Sequence, residues 1–195
     1  FVVVENEVED ASVNNVLVDN TYGSKLAIDH LVEKGCRRIM HVTGAKGTKA
    51  ALRRWQGYLA AMEQQGLSQY TSVVECEEFG VDEGYHAVRT WLSGHSREEL
   101  PDAIYFGADN TAFGGMIALE EAGIRIPEDI KIVGFDDDKP WGVEKKLKKL
   151  TTIRQPLYEV GAKAVQILLQ QIQNPETPRQ KVVIKPELVI RETTE

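Results

Sequence analysis

Cysteine is scarce in the 195 residues: Cys36 and Cys76 stand well apart, with no CxxC and no metal-ligand spacing. That excludes a disulfide-dense scaffold and a cysteine-based zinc site, leaving two reduced thiols or a single bridge. No apolar run is long enough to span a membrane, and no charged leader precedes an apolar stretch and a cleavage site. The chain opens on Phe1 rather than methionine, which points to further sequence upstream. Basic charge is also short, with 23 Lys and Arg against 30 Asp and Glu and a net charge of −7. Gripping nucleic acid by releasing counterions requires the opposite balance. Catalytic signatures are missing too: there is no GxSxG, no Walker glycine loop, no HExxH and no Ser–His–Asp or Cys–His grouping. The four histidines, His30, His41, His86 and His95, are scattered and read as ordinary core or surface residues.

What is present is an ordinary globular mixture, 42% hydrophobic and 27% charged, in a chain long enough to bury a sizeable core as one domain or two small lobes. The opening "FVVV" reads as a buried strand, and "NNVLVDN" contains a second short apolar run. Helical periodicity begins near Gly23, with Leu26, Ile28, Leu31 and Val32 on one side until Gly35. "RRIMHVTG" predicts a strand, 49–65 a helix stopped by Gly66, "SVVEC" a strand, 82–93 a helix and "DAIYFGA" a strand. Asp109 or Asn110 is placed to cap a helix over 111–122, and "IKIVGFD" supplies another strand. Such alternation predicts parallel βαβ units with a ligand site at the carboxyl ends of the strands. Beyond residue 143 the order changes. "LTTI" is a short strand, 157–172 a helix, and "KVVIKPELVIRE" an edge-like strand or a pair, because Pro186 argues against one central strand. The isolated first strand and the late helix suggest two lobes linked by more than one crossing.

The stretch "IKIVGFDDDKPW" puts three adjacent carboxylates, Asp136, Asp137 and Asp138, at the end of a strand. Hard cations favour clustered carboxylates, but this is not an EF-hand spacing, and period-two geometry does not aim three consecutive side chains at one ion. It can aim one of them, Asp136, into a crevice, while a solvated turn remains the plainer alternative. Asp109 and Asp136 both follow strands and could face one cleft as a carboxylate pair, although nothing marks an acid and a nucleophile in separate environments. Arg54, in the first turns of the helix after "TGAKGTKAAL", can offer a fork of donors to hydroxyls, a carboxylate or a phosphate, or can form a surface ion pair. Phe79 and Trp141 are candidates for stacking on a ring, though aromatics more commonly pack in cores. The run "KKLKK" at 145–149 is short enough to be a solvated face. On residues alone, a binding protein with a polar cleft is favoured over an enzyme.

Five stretches sharpen this: "VDNTYGSKLAIDHLVEKGCRRIMHVTG", "RRWQGYLAAMEQQGL", "ADNTAFGGMIALEEAGIRIPEDIKIVGFDD", "LTTIRQPLYEVGAKAVQILL" and "ELVIRET". In this order they cover nearly the whole chain, which resembles the effector-binding domain of the lactose/galactose repressor family of bacterial transcription regulators. The resemblance implies an α/β fold of periplasmic-binding-protein-like type, with doubly wound parallel sheets in two lobes and the first lobe only partly present. It places 1–18 in the first lobe, 19–150 in the second, 151–173 back in the first, and 174–195 in a loop and a final strand crossing to the second. Residues 1–4 and 157–168 should then show an exposed apolar face.

It implies no enzyme, no cofactor and no metal, but a cytoplasmic, dimeric repressor domain. A small sugar-like effector would lie between the lobes, and an N-terminal head beyond these residues would contact operator DNA. The alternative is a periplasmic sugar-binding component of a transporter. Carried over residue by residue, the ligand set is Asp136, Arg54, Phe79, Glu5, Gln155 and Asp109. Glu5 stands where many members have aspartate. Asp109 is expected mainly to cap a helix and organise a turn, with Ala108 replacing a preceding asparagine. Val18 falls where some members place a stacking phenylalanine, and Cys36 looks structural. Asp137 is expected to organise the turn after the strand, with Asp138 facing solvent.

Overall fold

The computed structural model describes residues 1–6, 8, 12–45, 47–140, 143 and 146–195. Trp141 and Lys145 lie outside the described residues. In chain order the elements are β1 (Val2–Val4), β2 (Asn14–Val18), α1 (Asn20–Glu33), β3 (Ile39–Ala45), α2 (Lys49–Gln64), β4 (Ser72–Cys76), α3 (Val81–Ser93), β5 (Ala103–Phe106), α4 (Asp109–Glu121), β6 (Lys131–Asp136), β7 (Thr151–Arg154), α5 (Leu157–Gln173), β8 (Lys181–Ile184) and β9 (Glu187–Val189). They form two sheets: a smaller one in the order β1-β2-β8, and a larger one in the order β4-β3-β5-β6-β7-β9. Neighbouring strands are parallel throughout except β9, which runs antiparallel to β7.

The larger sheet is covered on both faces, and strand alternation decides which residue goes where. Met40, Val42, Ile104, Phe106 and Ile132 point to the side packed by α3 and α4. Ile39, Ala103, Tyr105, Val133 and Phe135 point to the side packed by α1 and α2. Each fully buried Ile, Leu or Phe contributes about 1.5–3 kcal/mol, so these two layers supply most of the cohesion. In the smaller sheet, Val16, Val18 and Ile184 pack against Val160 and Ile167 of α5.

Helix starts are set by local capping. α1 begins at Asn20, three residues before the expected Gly23, because the Asp19 carboxylate accepts the Tyr22 amide at 2.9 Å. Thr48 caps α2 in the same way through the Ala51 amide at 3.2 Å. Cys36 and Cys76 are free and buried.

The boundaries expected at 151 and 174 are displaced. Residues 151–154 do not return to the smaller sheet: β7 completes the ladder beside β6, from Val133 opposite Thr151 to Asp136 opposite Arg154. The chain leaves the larger sheet only at Gln155 and Pro156, after which α5 packs on β1 and β2. β8 then pairs with β2 in the smaller sheet, and the return to β9 falls at Lys185 and Pro186. Pro186 thus separates two edge strands that belong to different sheets, as its missing amide donor favours.

As expected, the outer face of α5 is apolar and uncovered. Tyr158 is 92% exposed and Ile172 67%, Leu157, Val165, Leu168 and Leu169 of the same helix are exposed too, and so are Phe1 and Val4 of the first strand region.

Candidate functional site

Three non-glycine residues among those described have positive φ: Glu5 at 61°, Asp136 at 125° and Asp137 at 66°. Each such conformation costs on the order of 1–3 kcal/mol and persists where surrounding contacts over-determine it. Asp136 ends β6, Asp137 follows it and Glu5 follows β1, near the junction of the two sheets, and Arg54 lies in the field of both Glu5 and Asp136.

Arg54 projects from α2 into this junction with its side chain 6% exposed. Its Nη1 donates to the Gly107 carbonyl at 2.6 Å, its Nε to Asn20 Oδ1 at 2.7 Å, and its Nη2 stands 3.4 Å from Asp136 Oδ1. The guanidinium lies over the Phe135 ring, 3.7 Å from the centroid, and 5.9 Å from the centroid of the Phe79 ring. A planar, weakly hydrated cation gains from contact with aromatic faces and desolvates at a lower cost than an ammonium. Phe79 in turn rests on the main chain of Gly44, where a Cβ would meet its ring at 1.4 Å.

The same Asp136 Oδ1 also accepts from Gln155 Nε2 at 2.6 Å. Burial raises the Asp136 pKa against the lowering effect of Arg54 and Gln155. Burial likewise raises that of Glu5, opposed by Arg54 and a Val18 backbone hydrogen bond. Glu5 Oε1 and Gln155 Oε1 are buried acceptors without a hydrogen-bond partner. A cavity of about 250 Å³ opens beside Glu5, bounded by Val18, Asn20, Lys49, Arg53 and Lys181. The structure therefore brings together Arg54, Asp136, Gln155 and Glu5 as one polar cluster, with Phe79 as an aromatic wall.

The three aspartates divide their tasks. Asp137 accepts from Arg154 Nε at 2.6 Å and from Arg191 Nη2 at 2.5 Å, which ties the turn to β7 and the C-terminal segment. Asp138 is exposed, and its amide donates to Asp109 Oδ2 at 2.8 Å. No group of three or more His, Cys, Asp or Glu among the described residues could hold a metal ion.

Asp109 organises a turn as expected but does not cap the helix. It is the first residue of α4, whose N-cap is Ala108 with no side-chain cap bond. Its buried carboxylate turns away to accept the Thr152 hydroxyl at 2.6 Å and the Asp138 amide, so it fastens the turn after β6 to β7. A short acid beside Thr152 fills that place because Gly134 leaves room: a Cβ there would stand 2.1 Å from Asp109 Oδ1.

Burial pushes the Asp109 pKa up to about 7 from 3.8, with Thr152 opposing and Asp136 adding. The folded state then binds more protons than the unfolded chain between these values. The contribution to stability is fully present below about pH 4 and is lost as pH rises through 7. At about 1.4 kcal/mol per pKa unit, this is a component on the order of a few kcal/mol. In urea titrations from pH 4 to 8, Asp109→Asn should lose this fall in stability relative to wild type. Parallel pH profiles for the two proteins would contradict it.

Asn20 and Phe135, the other groups that fix Arg54, were not singled out by the sequence. Asn20 lies inside the "VDNTYG" stretch, but at a helix start an asparagine reads as a cap, a task that Asp19 performs instead.

Comparison with known proteins agrees with this architecture. A family described as periplasmic binding protein-like domain matches residues 28–194. The ribose operon repressor of Halalkalibacterium halodurans is 36% identical over 179 residues, covering 92% of this chain and 52% of the repressor. The chain spans about half the length of the curated relatives it matches. A LacI transcriptional regulator from a Rhodococcus species superposes with a TM-score of 0.87 at 32% identity, over 98% of this chain and 68% of that one. A LacI family transcriptional regulator from Enterococcus faecium, solved with bound ribose, gives 0.83 at 26% identity, over 99% and 69%.

Proposed function

Because the chain belongs to the lactose/galactose repressor (LacI) family of periplasmic-binding-protein-like domains, we propose that it is the effector-sensing domain of a DNA-binding transcriptional repressor. Its effector is a small polar molecule of the sugar type. The observation that carries this reading is the buried Arg54 guanidinium, fixed at the junction of the two sheets beside Asp136, while the acceptor oxygens of Glu5 and Gln155 next to it lack partners. A purely structural ion pair would be expected to have such acceptors satisfied, since an unpaired buried oxygen costs about 1–3 kcal/mol. A hydroxyl-rich ligand supplies the missing donors.

In this reading Asp136 accepts from ligand hydroxyls, Arg54 donates to ligand oxygens, Glu5 and Gln155 complete the polar lining, and Phe79 packs on a ring face. Asp109 acts one step back, holding the turn that presents Asp136. The relatives named for ribose make a pentose the first choice of ligand. Binding draws the two sheets to one relative placement, and a homodimer of the whole regulator shifts between states of different operator affinity, as linkage requires. Operator contact belongs to an N-terminal head beyond these residues, in keeping with the net charge of −7 here. Such a regulator works in the cytoplasm, and sensing requires no turnover of the ligand.

Calorimetry against D-ribose, other pentoses and hexoses, and their phosphates tests the reading. One of these sugars should bind. Asp136→Ala should weaken that binding by about 10- to 100-fold, the range for loss of hydrogen bonds to a charged group. Affinity unchanged in Asp136→Ala would sink the site assignment, and turnover of a bound sugar would revive an enzymatic reading.

A further inference from the structure

A guanidinium oriented before the ligand arrives binds it with less ordering cost, and a residue that orients Arg54, Asn20, borders the cavity beside Glu5 but is not among the proposed ligand contacts. Asn20 is the first residue of α1, separated only by Asp19 from the strand β2 that ends in Val18. Its side-chain amide faces two ways. Oδ1 accepts from Arg54 Nε at 2.7 Å, and Nδ2 donates to the Val18 carbonyl at 3.3 Å. Val18 belongs to the smaller sheet, paired opposite Ile184, and the next amide, Asp19, donates to the Ile184 carbonyl at 2.9 Å. One primary amide thus spans from the smaller sheet to the guanidinium buried against the larger one.

The approach of the two helices is fixed independently. At Gly57 a Cβ would stand 2.7 Å from the Thr21 carbonyl, and the Ser24 hydroxyl bonds the Arg54 carbonyl at 2.9 Å. With the backbone of Arg54 held by that contact, the direction of its guanidinium depends on the acceptors at its rim. Gly107 takes Nη1 and Asn20 takes Nε, which leaves Nη2 turned to Asp136. Gly107 contributes a main-chain carbonyl, whereas Asn20 contributes a side chain that can be altered without moving the sheet.

We propose that Asn20 is a positioning residue, orienting Arg54 from the crossing between the sheets so that effector affinity depends on a side chain that need not touch the effector. The binding part rests on the reading of Arg54 as an effector contact; the positioning part does not.

Two measurements on the 195-residue chain separate them. In nitrogen-15-labelled protein, the Arg54 Nε–Hε signal is identified by its loss in Arg54→Lys. Its solvent exchange should be slow in wild type, at least tenfold faster in Asn20→Ala, and slow again in Asn20→Asp, which keeps an oxygen acceptor in place. In calorimetry with D-ribose, Asn20→Ala should weaken binding by about tenfold in the wild-type background, the lower range for a hydrogen bond to a charged group. In the Arg54→Lys background it should have no further effect, because residues that act through one another are not additive. A merely structural asparagine would lower affinity by the same factor in both backgrounds, and that result would overturn the proposal. Unchanged Hε exchange in Asn20→Ala would overturn it without any ligand. If wild type binds no sugar, the effector reading fails while the exchange measurement still decides the role of Asn20.

Discussion

Arg54→Ala is expected to lower the stability of the domain by about 3–5 kcal/mol and to remove measurable sugar binding. The change strips three partners at once. The Gly107 carbonyl and Asn20 Oδ1 lose their donor, and Asp136 loses the cation that offsets its burial. A void also opens over Phe135, which the guanidinium now covers at 3.7 Å. Breaking a buried pair from one side costs more than the pair itself contributes, because the remaining charge stays desolvated.

The loss should depend on pH with a definite sign. Without Arg54 the raised pKa values of Asp136 and Glu5 rise further, so at low pH both carboxyls are protonated and little uncompensated charge remains. Urea midpoints at pH 5 and pH 8 should therefore show the larger defect at pH 8. Arg54→Lys keeps the charge but gives up the planar fork and the stacking, and should fall between the two. A loss below about 1 kcal/mol in Arg54→Ala at pH 8 would mean that the cluster is a surface-like ion pair of little consequence.

The second large effect lies on the opposite face of the larger sheet. α3 and α4 cross in direct backbone contact: a Cβ on Gly114 would stand 1.8 Å from the Val81 carbonyl, and one on Gly84 1.9 Å from the Thr111 carbonyl. Both obstructions are main chain, which cannot rotate aside like a long side chain, so the helices must separate and unpack Val88, Ala112 and Met116. Gly114→Ala is expected to cost on the order of 3 kcal/mol or more, at or beyond the usual range for overpacking. Gly161→Ala is the internal contrast. It lies in the second turn of α5 with nothing within 4 Å of the added Cβ, so it should stabilise by about 0.5–1 kcal/mol. Thermal denaturation of the two variants side by side should give opposite shifts. A fall in both would show that the glycines serve backbone freedom rather than close approach.

The Gly114 contact is not readable from the run "AFGGM", nor the Gly84 contact from "VDEGYH", because helical periodicity continues through both residues. The contrast extends to the site. That "IKIVGFD" is a strand is legible in its branched apolar residues, and period-two alternation sets Asp136 apart from Asp137; the choice of Asp136 for the cluster and the order of the elements came from the family-like stretches. The left-handed turn at Asp136 and Asp137 is not signalled, because it is imposed by Arg154, Arg191 and Gln155 from distant segments. Asp109 looked like a cap because it begins a helix, yet the tertiary partners Thr152 and the Asp138 amide draw its carboxylate elsewhere.

The sequence by itself determined the alternation of strands and helices, the stops at Gly35 and Gly66, the two edge strands around Pro186, and the identity of Arg54 and Asp136 as the polar residues to watch. The elements and their stops are consequences of repeat geometry and capping, which act over a few residues, whereas Arg54 and Asp136 were marked by their side-chain chemistry and by the family resemblance. Only the tertiary structure decided that β7 joins the larger sheet and β8 the smaller one, since short strands of similar composition pair with either edge. It also decided that Asn20, 34 residues from Arg54, would hold the guanidinium. A hydrogen bond between distant residues depends on how closely two helices pack, and that distance is set at Gly57 by the contact itself rather than by any local pattern.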